Sequence, residues 1–232
     1  MVASSHKPWS HMRSNLVITI LLIISLLFAC DTETVDKPLI GPNYLPVEVG
    51  KYINYACTEI KHDAFLEKSD TFYFWIKESC VEESQDSNFI SYKCIQEHSN
   101  DSGKSWVFEK WVIYHINDFN ILRQEDDVLK SKLIIPLVER RTWDANSYSA
   151  LPFQRARALD LGNEYQSENR TFTNTTRIDL GNSEDVFFTN YEEEIYAEGI
   201  GLIIRRFQDL ERQPEKYIKG NEYVKIFQES NW

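Results

Sequence analysis

At 232 residues the chain is long enough for one domain with its own core, and 13% aromatic residues against only eight glycines exclude a disordered or fibrous chain. A formal net charge of −11 at neutral pH disfavours nucleic acid and anionic membrane surfaces as partners.

The first 29 residues carry Lys7 and Arg13, no acidic side chain, and an apolar run from Leu16 to Phe28 broken only by Thr19 and Ser25. This is the pattern of an export signal, and residues 1–29 are assigned to one. As a helix the run covers roughly 20 Å, short of the roughly 30 Å hydrocarbon core, so it is a poor permanent span. Met12, next to Arg13, is a more usual start for such a leader than Met1. The run ends in Leu26-Leu27-Phe28-Ala29-Cys30, and Asp31, Thr32 and Glu33 follow at once.

That junction resembles the lipobox of bacterial lipoproteins, with an aliphatic residue three before a cysteine and a small residue just before it. The resemblance implies cleavage after Ala29, diacylglyceryl transfer to the Cys30 thiol and a fatty acyl group such as palmitate on the new amino terminus. An ordinary secretory signal with a chance cysteine is the alternative. Each buried methylene contributes about 0.8 kcal/mol, so two or three acyl chains hold a protein durably on a bilayer.

Residues 30–46 hold Pro38, Pro42 and Pro46 among acidic and polar residues and read as an extended tether. The domain proper is then 47–232. Within it, short runs of period two alternate with turn chemistry: Thr71–Ile76 and Asn88–Gln96 flank the polar stretch Glu82–Ser87, and Asn100-Asp101-Ser102-Gly103 leads into Trp106–Ile116. In that last strand regular alternation puts Trp106, Phe108, Val112, Tyr114 and Ile116 on one face and Val107, Trp111 and Ile113 on the other. The second half continues with Leu129–Val138, Thr171–Ile178, Val186–Asn190, Glu194–Ala197, Leu202–Leu210 and Tyr223–Gln228, with Gly162, Gly181, Gly199, Gly201 and Gly220 expected at the breaks. Leu151–Leu161 fits strand or helix. About ten antiparallel strands with little helix predict a mainly β domain: a single curved sheet, a half-barrel or a β-sandwich.

Three cysteines follow Cys30. Cys80 and Cys94 would face each other across a hairpin turning near Ser87 and are the candidates for a disulfide, three reduced buried thiols being the alternative. No cysteine spacing matches a zinc site.

Tyr44-Leu45-Pro46 with Gly50, Tyr52 and Tyr55, the segment Thr142-Trp143-Asp144-Ala145-Asn146, and Tyr196-Ala197-Glu198-Gly199-Ile200-Gly201-Leu202-Ile203 followed by Gln213-Pro214 together resemble a family of Bacteroidetes cell-envelope lipoproteins. The resemblance implies a mainly β lipoprotein akin to half-barrels that cradle lipids, and it carries over no catalytic residue. Ala145 stands where the family has glycine. Read physically, Trp143 suits an aromatic plug beside an Asx-type turn, and the glycines around Ile200 suit a tight turn into a strand.

Nucleophile elbows, phosphate loops, zinc-protease helices and calcium loops do not occur, and no catalytic residue, metal ligand or cofactor is expected. His62 and Asp63, adjacent on a strand, would point to opposite faces, and His115 reads as a satisfied half-buried strand histidine. The clusters Glu82-Glu83, Glu125-Asp126-Asp127 and Glu192-Glu193-Glu194 are expected as solvated loop and edge charges. Trp75, Trp106 and Trp111, with Tyr73 and Tyr114, are the candidates for lining an apolar cavity, stacking on sugars or filling a core. The expectation is therefore a non-enzymatic envelope lipoprotein, membrane-bound through Cys30, that holds an apolar ligand or an envelope component. A structural subunit of an outer-membrane complex is the second reading and a glycan-active enzyme the third. The outer membrane is the expected site, facing the periplasm or the surface.

Overall fold

The computed structural model describes residues 42–167, 170–212 and 218–231. The expected export signal with Ala29 and Cys30, the expected tether up to residue 41, and Gln213-Pro214 lie outside the described residues.

After a short 3₁₀ turn at Pro42–Tyr44, twelve strands follow: β1 Tyr52–Asp63, β2 Lys68–Gln85, β3 Ile90–Ser99, β4 Val107–Ile116, β5 Asn120–Glu125, β6 Val128–Ile134, β7 Thr142–Asp144, β8 Arg155–Gln166, β9 Thr171–Glu184, β10 Phe188–Ala197, β11 Gly201–Glu211 and β12 Lys219–Ser230. All belong to one antiparallel sheet in the order β6-β5-β4-β3-β2-β1-β12-β11-β10-β9-β8-β7. Two meanders of six strands are thus joined where β1 pairs with β12, from Ile53 opposite Ser230 to His62 opposite Gly220.

The two outermost strands, β6 and β7, are neighbours in sequence, and they meet. Ser131 N–H donates to the Ala145 carbonyl at 2.8 Å, and Trp143 Nε1 donates to the Ser131 carbonyl at 3.0 Å. The sheet is therefore a nearly closed barrel, not a sandwich. Turns β2–β3, β4–β5 and β10–β11 and the entering chain mark its lower end; turns β1–β2, β3–β4, β5–β6 and β9–β10 mark its upper end.

The lower end is packed. Tyr44 and Leu45 sit among Cys80, Cys94, Val112, Ile121, Leu133, Ile135, Leu137 and Tyr196, all buried. Tyr44 and Leu45, which proline spacing assigned to the tether, are thus part of the packed domain. Two of the family-like patches meet here: the Asn43 carbonyl accepts from Gly199 N–H at 2.7 Å, and a Cβ on Gly201 would stand 3.7 Å from Pro46 and 3.8 Å from Leu45.

Elsewhere the fold departs from regular alternation for identifiable reasons. In β4 the register slips so that Gln96 faces Lys110 and Glu97 faces Phe108. The extra residue, Glu109, reverses the face of everything before it. Phe108 consequently leaves the Val112–Tyr114 face and packs edge-on against Trp111, ring centroids 5.7 Å apart. β10 runs unbroken through the expected gap between Asn190 and Glu194, and Leu151–Leu161 becomes a loop entering β8. Gly162, Gly181 and Gly220 lie inside β8, β9 and β12 instead of at breaks.

Candidate ligand cavity

Above the packed lower end the inward face of the barrel is ionic. In β2 the inward series is Phe74, Ile76, Glu78 and Cys80, so a carboxylate occupies a position that period two assigns to the interior. Glu78 is 4% exposed. It accepts a two-pronged contact from Arg123 of β5 at 2.7 and 3.0 Å, a bond from the Lys225 ammonium of β12 at 2.9 Å, and one from the Tyr114 hydroxyl of β4 at 2.8 Å. The Lys225 ammonium also lies 4.0 Å from the centroid of the Tyr55 ring. Burial by itself would raise the Glu78 pKa, but Arg123 and Lys225 outweigh it and hold the carboxyl well below the ordinary range.

A second buried carboxylate is on β10. Glu194, 2% exposed, accepts from Lys132 of β6 and from the Tyr196 hydroxyl at 2.7 Å, with Arg205 Nε of β11 at 3.8 Å. Burial again pushes its pKa up, and Lys132 and Arg205 bring it down to about 2. Desolvation lowers the Lys132 ammonium below its ordinary value, and Glu194 offsets only part of that. Glu192 accepts from Arg205 at 2.8 Å and from Gln154 at 2.8 Å. Glu125 is held by Arg123 and Lys110, which depress its pKa against burial.

These groups line a cavity with two lobes. A lobe of about 340 Å³ has Lys130, Ser131, Ala145, Leu151, Gln154, Leu180 and Glu192 in its wall. A lobe of about 240 Å³ has Glu59, Phe74, Gln96, Glu109, Lys110, Tyr223 and Lys225. Arg123, Glu125, Lys132, Glu194 and Arg205 belong to both. Asp126, at the β5–β6 turn, lines the larger lobe, which therefore reaches the upper end, whereas Leu45, next to the entering Tyr44, lines the smaller lobe.

The sequence-derived candidates are placed elsewhere. Trp75, Trp106 and Trp111 sit on the outer face and line none of these lobes. Lys77 stands 5.7 Å from the Trp106 ring, and Lys93 stands 4.2 Å from Trp111, which is 43% exposed. Cys80 and Cys94 do oppose each other in register. Cys80 bonds through its N–H and carbonyl to Lys51 and Gly50 at 2.9 Å each, on the β1 side. Toward β3 the two cysteines therefore form the closer, non-hydrogen-bonded kind of pair. Both thiols are free, buried and pushed up in pKa by burial, as is Cys57.

His62 is held by Ser69 and Glu222, and His115 by Ser91 and Gln124. Asp63 instead caps the β1–β2 turn by accepting from Phe65 and Leu66 N–H. Trp143 packs into the core, and Asp144 accepts from Asn146 and Gln154 N–H at 3.0 Å each, an Asx-type turn. Ala145 is buried and not among the residues with positive φ, so the turn needs no glycine.

Of the acidic clusters, Glu82-Glu83 is exposed as expected, but Glu193 and Glu194 are buried, which overturns the solvated reading of Glu192-Glu193-Glu194. The signal that could have found this site is a charge at even spacing within an apolar alternation, as in Phe74-Ile76-Glu78-Cys80.

No family model and no curated protein matches the chain. Solved structures with a similar backbone course include one assigned as an exported protein with a YmcC-like fold from Bacteroides fragilis, with a TM-score of 0.46, and one assigned as a lipoprotein from Parabacteroides distasonis, with a TM-score of 0.44; both assignments are provisional. Each is 10% identical to this chain and covers 81% of it and 98% of its own length.

Proposed function

We propose that the protein is an envelope lipoprotein, anchored through Cys30, whose barrel binds a small polar ligand in the cavity between Arg123, Lys132, Glu194 and Arg205. The observation that supports this reading is an open cavity with walls of buried ion pairs. A barrel selected only for stability gains as much or more from apolar side chains at such positions, because desolvating paired charges costs several kcal/mol per ion. The same chemistry moves the expected ligand from apolar to polar: an aliphatic molecule here would strip water from Lys132 and Arg205 and return no hydrogen bond.

Binding is favoured over catalysis by the same carboxylates. Glu78, Glu125 and Glu194 are all held ionised by adjacent cations, whereas glycoside cleavage needs one carboxyl protonated near neutral pH. The test is native mass spectrometry of the mature lipoprotein taken in mild detergent from its own host's envelope. A co-purifying polar molecule is the expected result. A bare polypeptide mass, with no stabilisation by any compound in a polar metabolite screen, would overturn the reading.

The outer face supports a second reading, as a subunit of an envelope complex. Tyr73, Phe108 and Trp111 are exposed there at 74%, 52% and 43%, and such a surface fits a protein partner. Crosslinking in intact cells would identify it.

A further inference from the structure

We infer that the larger lobe recognises an anionic group, a carboxylate or a phosphate, through Lys130, Lys132 and Arg205; this rests on the ligand-binding reading above. The argument is a hydrogen-bond balance. Each carboxylate oxygen of the three glutamates around the lobe already has a donor: Glu125 from Arg123 and Lys110, Glu192 from Arg205 and Gln154, Glu194 from Lys132 and Tyr196. The donors are not used up. Lys132 has three N–H groups and gives one to Glu194. Arg205 Nε is buried without a hydrogen-bond partner, 3.8 Å from the nearest Glu194 oxygen. Lys130 lines the lobe and has no bonded partner among the described residues.

Spare donors beside glutamates whose oxygens are already satisfied, with exposed Asp126 the one lining carboxylate that has no donor among the described residues, call for a ligand that brings acceptors, and charge-assisted bonds to an oxyanion are the strong form of that match. Ala145, Leu151 and Leu180 form the apolar part of the wall. The ligand class is therefore a small amphiphilic anion, with its charged head on the cations and a short apolar portion on this wall.

Isothermal titration of the mature lipoprotein in neutral detergent, with hexanoate, hexyl phosphate, hexanol and hexylamine as probes, tests this. The anionic probes should bind at least about tenfold more tightly than hexanol and hexylamine, a gap of about 1.4 kcal/mol. Lys130→Gln should remove most of that preference with an unchanged unfolding midpoint, because Lys130 holds no internal partner; Arg205→Gln should weaken the preference too, but with a lowered midpoint, because Arg205 also holds Glu192 and Glu194. Soluble anions competing for binding would mark a free metabolite as the source of the group. Failure of the soluble anions alongside titration by vesicles of phosphatidylglycerol in phosphatidylcholine, but not by phosphatidylcholine alone, would mark a lipid headgroup. Equal binding of all four probes, or a Lys130→Gln protein with undiminished anion preference, would overturn the anion assignment. A neutral or cationic molecule co-purifying in this lobe would overturn it too, yet leave the ligand-binding reading standing.

Discussion

Glu78 touches three other strands through three side chains, and its loss would leave Lys225 without a counter-charge and Arg123 with Glu125 alone. Breaking a buried pair by removing one partner costs roughly 3–5 kcal/mol, because the remaining charge stays desolvated. Glu78→Gln should therefore lower the unfolding free energy by that order in urea titration, and a change below about 1 kcal/mol would refute the network's role in stability. Protonation does the same work reversibly. Glu194 has a folded pKa of about 2 against an ordinary value of 4.5. The unfolded chain takes up that proton first as the pH falls, so its stabilisation is complete above about 4.5 and is lost between 4.5 and 2. Glu78 adds to this in the same direction. Urea midpoints should fall steeply over that window, and the fall should be shallower in Glu194→Gln; equal slopes would contradict the assignment.

Among the elements, β12 depends on one backbone position. Gly220 has φ of 130°, and a Cβ there would lie 2.0 Å from the Asp209 carbonyl oxygen of β11. Gly220→Ala must move a paired strand as well as adopt a conformation costing of order 1–3 kcal/mol, so its thermal midpoint should drop by several degrees. An unchanged midpoint would mean the β11–β12 register is more tolerant than its geometry implies. The β2–β3 hairpin offers a separate test. Its opposed thiols should be crosslinked by a thiol oxidant such as diamide once the domain is loosened in mild urea, protecting Cys80 and Cys94 but not Cys57 from alkylation. Alkylation of all three after oxidation would show that the pair cannot close.

For the whole molecule, the legible part of the sequence was local. Polar turns and period-two runs gave the β-meander because neighbouring antiparallel strands need only a short connection. The family-like patches marked structure: Tyr44-Leu45-Pro46 closes the lower end against Gly199 and Gly201, and Trp143 ties β7 to β6. The site was largely illegible. Glu194 read as solvent-facing, and Glu78 and Lys225 drew no notice, because an isolated buried ion is prohibitively costly and the cations that pair with Glu78 lie 45 and 147 residues from it. The aromatics misdirected the reading because size does not tell which face is inward: Trp75 and Trp111 alternate with the inward series, and one inserted residue, Glu109, turns Phe108 outward.

By itself, then, the sequence determined the β class, the meander order and the acidic balance, all properties of short segments or of composition. Only the tertiary structure decided that β1 pairs with β12, that β6 meets β7, and that cations from β5, β6, β11 and β12 converge on carboxylates of β2 and β10. Those outcomes depend on closing long loops and on bulges that shift register, and neither leaves a periodic trace in the chain.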